Sequence, residues 1–193
     1  MNLTYFLGKM LAAFYFHTFY NIKITGSGKL PEKSSFIVCS NHINLLDPVV
    51  IAVCFNRKVH FMAKESLFKN KFIAFVIRKL GAFPVDRASV GLSTFKEAMK
   101  LLKSGKVMGI FSQGTRMSSV DEESAKAGVS LFAVKSESKV VPVGIKSSFK
   151  LFSDVSVNIG EPMAFSEYNK KITKEQLEDI TKEIMIKIKD LSN

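Results

Sequence analysis

Between residues 36 and 189, short apolar runs alternate with longer helix-like ones, and this alternation restricts the chain to few architectures. Strands are predicted at 36–40, 59–63, 83–85, 107–111, 140–145 and 155–159. Helices are predicted at 48–56, 71–80, 90–103, 126–136 and 174–189, the last with Leu177, Ile180, Ile184 and Ile188 on one packing face. Strands separated by helices imply an α/β fold with a largely parallel or mixed sheet. The 193 residues contain no repeat, low-complexity stretch or interdomain linker, so they predict a single domain with a sizeable core. The long polar loop at 112–125 belongs at a sheet edge, where ligands bind in such folds.

Ahead of this pattern, Leu3 to Tyr20 is almost wholly apolar or aromatic, interrupted mainly by Lys9 and His17. Leu3, Phe6, Leu7, Met10, Leu11 and Phe14 follow the helical i, i+3, i+4 spacing, and Phe16 and Phe19 widen the apolar surface. Eighteen helical residues reach about 27 Å, just short of a bilayer's hydrocarbon core. Lys9 argues against a span, and neither a basic leader nor a small-residue cleavage site marks a signal peptide. The expectation is a membrane-associated helix over 1–21, lying on or dipping into one leaflet, before a second unit over 22–193. The alternative is a buried core helix. A Gly-rich turn is expected at Gly26-Ser27-Gly28.

The net charge of +11 attracts anionic partners: nucleic acid, anionic membrane, an acidic carrier protein or a phosphorylated substrate. Between Arg57 and Arg87, eight cations face only Glu65 and Asp86. Nucleic acid is disfavoured, because no motif places aromatics for stacking on bases. Two isolated cysteines suggest a reducing compartment, with Cys39 a small core residue of an apolar strand. Only His17, His42 and His60 exist, and Cys39 and Cys54 form no close-spaced pair, so no metal site is predicted.

Residues 41–47 read Asn-His-Ile-Asn-Leu-Leu-Asp and follow a predicted strand. A histidine acts as a general base near neutral pH, and a carboxylate can fix its tautomer and stabilise its charged form. On a continuous helix, His42 and Asp47 would diverge by about 140°, so the chain must turn between them. Asp47-Pro48 reads as an N-cap followed by proline at the first helical position, which places His42 on a strand-to-helix loop. Taken alone, Asp47 could merely cap its helix. Other motifs fail: Gly-Ser-Gly-Lys-Leu at 26–30 is not a P-loop, and neither a G-x-S-x-G elbow nor a dinucleotide fingerprint is present.

Three further segments complete a pattern. Gly81-Ala82-Phe83-Pro84-Val85-Asp86-Arg87 and Phe111-Ser112-Gln113-Gly114-Thr115-Arg116 each place an arginine beyond a strand, and Val141-Pro142-Val143 sits in a third strand. With Asn41-His42-x4-Asp47, in this order and spacing, they resemble the four motif blocks of the glycerolipid acyltransferases, most nearly the bacterial 1-acylglycerol-3-phosphate acyltransferases. The resemblance spans roughly residues 22 to 165 and implies a single-domain sheet flanked by helices, with the apolar N-terminal helix on a membrane. It implies that His42 takes the proton of the acceptor hydroxyl while Asp47 orients the ring. It further implies that Arg87 and Arg116 hold the acceptor's phosphate, as planar guanidinium can do bidentately. Lys64, in Ala63-Lys64-Glu65, matches a position near the site, its alternative being a surface lysine. Gln113, Gly114 and Thr115 complete the third block. Pro142 is expected to shape a strand end.

By that resemblance the substrates are lysophosphatidate and an acyl donor, either acyl-CoA or acyl carrier protein, and the product is phosphatidate. No cofactor, metal or acyl-enzyme is implied, and the place of work is the cytoplasmic face of a cell membrane rich in anionic phospholipid, held peripherally or monotopically. Asn44 departs from the usual serine of the first block. Ser112 and Gln113 replace the proline and glutamate of the third, and Gln113 keeps hydrogen bonding but loses charge. That change leaves open glycerol 3-phosphate or another lysophospholipid as acceptor, or a lipid-binding module without turnover.

Overall fold

Strand β2 (Phe36–Ser40) is buried along its whole length, as an unbroken apolar run demands when both faces of a sheet are covered. It pairs in parallel with β5 (Val107–Phe111) on one side and β6 (Lys139–Ser147) on the other. Beyond β5 lie β3 (Val59–Lys64) and β4 (Phe83–Val85), also parallel. Beyond β6, β7 (Asp154–Ile159) runs antiparallel, and β1 (Asn21–Gly26) pairs in parallel with β7 at the edge. The sheet order is therefore β1-β7-β6-β2-β5-β3-β4, in a computed structural model that describes residues 3–26, 30–85, 92–111, 128–168 and 171–193.

Alternation along the strands divides the core into two layers. Ile37 and Cys39 of β2 face a layer closed by α4 (Leu92–Lys103), α5 (Gly128–Ser136) and α6 (Lys174–Ser192). Phe36 and Val38 face the other, closed by α1 (Leu3–Phe19) and α2 (Asp47–Cys54) through Phe16, Val50 and Ile51. α3 (Lys71–Lys79) packs outside both, against a 3-10 turn at Glu65–Phe68.

The α/β class and the six expected strands are present, and the sheet is mixed. β1 is an addition: Asn21-Ile22-Lys23-Ile24-Thr25 does alternate polar and apolar residues, but the run is short and follows directly on the apolar stretch of α1, and most of it is exposed at the sheet edge. Of the expected turn, Ser27 and Gly28 lie outside the described residues. Pro142 does not end a strand. It sits inside β6 opposite Cys39, and the antiparallel β6–β7 register begins one residue later, at Val143. Among the described residues, no helix is long and apolar enough to cross a membrane.

Candidate active site

Four parallel strands, β2, β3, β4 and β5, end at the same edge of the sheet, so the loops that follow them share one rim. At the end of β2 the backbone ladder is replaced by a side chain. The buried Asn41 amide donates Nδ2–H to the Ile145 carbonyl at 2.8 Å and accepts the Ile145 N–H at Oδ1, also at 2.8 Å. Asn41 thus stays tied to β6 while the next residue, His42, is released from the sheet.

The turn that follows is organised by one oxygen. Asp47 Oδ2 accepts the Ile43 and Asn44 amide N–H groups, each at 2.7 Å, and faces His42 Nδ1 at 2.7 Å. Asn44 Oδ1 accepts the Leu46 N–H at 3.0 Å, tightening the same turn. Asp47 is not the N-cap that its sequence context suggests. Leu46 holds that position without a side-chain cap, and Asp47 is the first helical residue, with its carboxylate turned back onto the loop. Two amides and a ring nitrogen outweigh what capping offers. An oxygen already receiving two N–H groups acts as an acceptor, so in the neutral ring Nδ1 carries the hydrogen and Nε2 the lone pair. Asp47 is fully buried, and its Oδ1 has no hydrogen-bond partner among the described residues.

The imidazole is clamped from its face as well. It stacks on Phe111 at 4.1 Å between ring centroids, and Phe111 stacks on Phe61 at 5.7 Å. Gly109 makes room for this column, because a Cβ there would collide with the Phe61 ring. Neither aromatic was identifiable as a partner of His42 beforehand. Phe111 ends the strand of the third block, which is a signal, but the β3–β5 register that brings Phe61 alongside is a tertiary fact.

His42 opens onto an apolar cavity of about 400 Å³ walled by α1, α2, β3 and α3, with Gly8, Val53, Ile77 and Leu80 among its lining. Lys64, at the end of β3, lines the same cavity with its side chain exposed. Lys9 also borders it and donates Nζ–H to the Phe55 carbonyl at the C-terminus of α2, at 2.6 Å. Burial draws the Lys9 ammonium below its ordinary range and pushes the neighbouring Cys54 thiol up to about 12, so that thiol is a poor nucleophile. His60 does not line the cavity. Its Nδ1 meets the Val107 carbonyl at 3.1 Å, and burial lowers its proton affinity.

The structure therefore pairs His42 with Asp47 and sets Lys64 on the cavity that His42 lines. β4 and β5 end at the same rim, at Val85 and Phe111, but Arg87, Gln113, Gly114, Thr115 and Arg116 lie outside the described residues. Among the described residues, no group of three or more histidine, cysteine, aspartate or glutamate side chains could hold a metal ion. A second cavity, about 530 Å³, lies at the opposite edge beside Thr25, Pro31 and Arg57 and contains none of the predicted site residues.

Residues 21–146 match the family model described as Acyltransferase. The chain is 34% identical over 178 residues to the 1-acyl-sn-glycerol-3-phosphate acyltransferase of Bacillus subtilis (strain 168), covering 89% of this chain and 88% of that one. It is 32% identical over 133 residues to the protein of the same name from Borreliella burgdorferi, covering 68% of this chain and 53% of that one. Among solved structures, it resembles the 1-acyl-sn-glycerophosphate (LPA) acyltransferase PlsC from Thermotoga maritima. That likeness has a TM-score of 0.70 and 27% identity, and covers 97% of this chain and 78% of the other.

Proposed function

The chain belongs to the acyltransferase family, and on that premise we propose that it acylates the free 2-hydroxyl of 1-acylglycerol 3-phosphate, giving phosphatidate. The acyl donor is acyl-CoA or acyl carrier protein. The observation that carries this reading is the His42 Nδ1–Asp47 pair at 2.7 Å, set at an apolar cavity.

His42 Nε2 takes the proton of the acceptor hydroxyl as its oxygen attacks the thioester carbonyl. The tetrahedral intermediate expels the donor's thiolate, which receives that proton from the imidazolium. Asp47 stabilises the imidazolium without accepting the proton, and general-base assistance of this kind supplies about 10²–10⁴ in rate. The Phe111 stack and the Asp47 bond fix the ring in plane and in tautomer, which favours positioning over exploration. The cavity takes an acyl chain, since its lining is predominantly apolar. Arg87 and Arg116 bind the acceptor's phosphate, Lys64 adds a cation at the cavity, and Gln113, Gly114 and Thr115 complete the phosphate site. Gln113, where the family carries glutamate, shifts acceptor preference or lowers activity without abolishing the chemistry.

The reaction takes place on the cytoplasmic face of a membrane. The support is α1, whose i, i+3, i+4 apolar stripe faces outward: Leu11 and Phe14 are 71% and 70% exposed, whereas Tyr5 and Phe16 are buried. The net charge of +11 suits an anionic surface. The test offers purified chain lysophosphatidate or glycerol 3-phosphate with each donor, beside His42→Ala. Turnover with lysophosphatidate that is lost in the mutant is expected. Lipid binding without turnover from any pair would leave a lipid-binding module instead.

A further inference from the structure

Helix α3 exists although it buries almost nothing. Of Lys71–Lys79 only Ala74 is buried, while Phe72 and Phe75 are 76% and 61% exposed and Ile73 and Val76 join them outside. The helix is held by its ends rather than by a core. Asn70 caps it by accepting the Phe72 and Ile73 N–H groups at 3.0 and 3.1 Å, and Arg78 and Lys79 complement its C-terminal carbonyls. A nine-residue helix that spends its apolar side chains on solvent is unfavourable in water, so the outward crest calls for a nonaqueous partner.

Two observations say which partner. First, the crest is flanked by cations. Lys69, Lys71, Arg78 and Lys79 stand against the single acid Glu65 in residues 65–80, and the Arg78 guanidinium lies 4.9 Å over the Phe68 ring. Phenylalanines bounded by lysine and arginine suit the boundary between acyl chains and anionic head groups. Second, the C-terminal end of α3 touches α1. A Cβ on Gly8 would come within 2.9 Å of Leu80 Cδ2, so the two helices meet there. Lys58 pins the junction by donating to the Lys79 carbonyl at 2.8 Å, with its ammonium 5.2 Å from the centre of the Tyr5 ring.

We propose, resting on the membrane-surface reading above, that α3 is a second membrane-seating element and forms one bilayer-facing surface with α1. The occupant of this surface is an anionic phospholipid bilayer. Because α1 and α3 both wall the cavity reached by His42, seating both helices places that cavity at the level of the lipid.

The chain contains no tryptophan, so Phe72→Trp gives a single indole reporter on α3. Ile186→Trp, at an exposed position of α6 across the sheet, is the control. Each full-length variant is mixed with vesicles of phosphatidylglycerol and phosphatidylcholine in equal parts, or of phosphatidylcholine alone, with and without acyl-brominated lipid. The expected result is a blue-shifted, bromine-quenched indole for Phe72→Trp on the anionic vesicles, weaker on neutral ones, and neither change for Ile186→Trp. Phe72→Ser and Phe75→Ser should each weaken vesicle partitioning by about tenfold. A chain that sediments with vesicles and transfers acyl groups while the Phe72→Trp indole stays unshifted would overturn the proposal and leave α1 as the seat. Self-association in lipid-free buffer that Phe72→Ser abolishes, with no bromine quenching, would assign the crest to a second copy and equally overturn it.

Discussion

Helices α1 and α6 cover opposite faces of one sheet and have similar lengths, 17 and 19 residues, yet they turn their apolar sides in opposite directions. α6 sends Ile180, Ile184, Met185 and Ile188 into the core and starts at a capping box between Thr173 and Gln176. α1 sends Leu3, Leu7, Leu11 and Phe14 outward and buries Tyr5 and Phe16 instead. Periodicity identifies the apolar side of a helix but not what that side faces. For α6 the sheet is a sufficient partner. For α1 it is not, because the residues touching the sheet are not those of the stripe.

The site lies at the sheet rim on the α1 side, on the loop from β2 to α2, and its chemistry should separate from the packing of either helix. Asp47→Asn is the largest expected effect. With its amide oxygen in the Oδ2 position, asparagine still accepts the Ile43, Asn44 and His42 donors, but the imidazolium loses its counter-charge. The amide nitrogen then occupies the buried position where Oδ1 has no hydrogen-bond partner among the described residues. Acyl transfer should fall about 10²–10⁴-fold while vesicle binding persists. A turnover number within threefold of the parent would remove Asp47 from the mechanism.

The contrast between the helices is tested next. Ile184→Ala removes a fully buried side chain of α6 and should cost about 2–5 kcal/mol in denaturant unfolding. The matching change on the outer stripe, Leu11→Ala, should stay within about 0.5 kcal/mol. Equal losses at the two positions would mean that α1 packs its stripe against protein, and the contrast would collapse.

Much of this was legible in advance. The strands over Phe36–Ser40, Phe83–Val85 and Val107–Phe111 stand where their apolar runs placed them, because buried parallel strands are continuously apolar. For the His42–Asp47 contact, the five-residue spacing indicated a turn between the two residues, and the pairing itself was implied by the resemblance of the first block. Three features were not readable, for related reasons. β1 is a short edge strand, and its Ile22/Ile24 alternation follows so directly on the apolar run of α1 that it does not stand apart from it. The role of Asp47 as organiser of the turn depends on which donors its carboxylate meets, and those come from the loop's own backbone. The ring column His42–Phe111–Phe61 depends on the pairing of strands distant in sequence.

A third test reaches the joint between the sheet and the loop. Asn41→Ala strips both partners from the Ile145 backbone in a buried setting, at about 1–3 kcal/mol for each group left unpaired. Activity should fall with stability, since Asn41 holds the strand end from which His42 departs. Loss of activity with unfolding unchanged would show that Asn41 touches substrate rather than backbone.

The smallest effect on stability is expected at Phe14, and it separates the two helices most sharply. Phe14 is 70% exposed, so Phe14→Ser removes little buried surface and should leave the unfolding midpoint in lipid-free buffer within experimental scatter. On a vesicle the same ring has somewhere to go. Withdrawing a phenylalanine from an apolar phase costs about 1.5–3 kcal/mol, so partitioning onto vesicles should weaken by about tenfold or more. The exposed face of α6 should not behave this way, because Ile186 is its one exposed large apolar residue and stands among charged neighbours such as Lys182, Glu183 and Lys187. A Phe14→Ser chain that melts early and binds vesicles normally would reverse the assignment, making α1 a packing helix like α6.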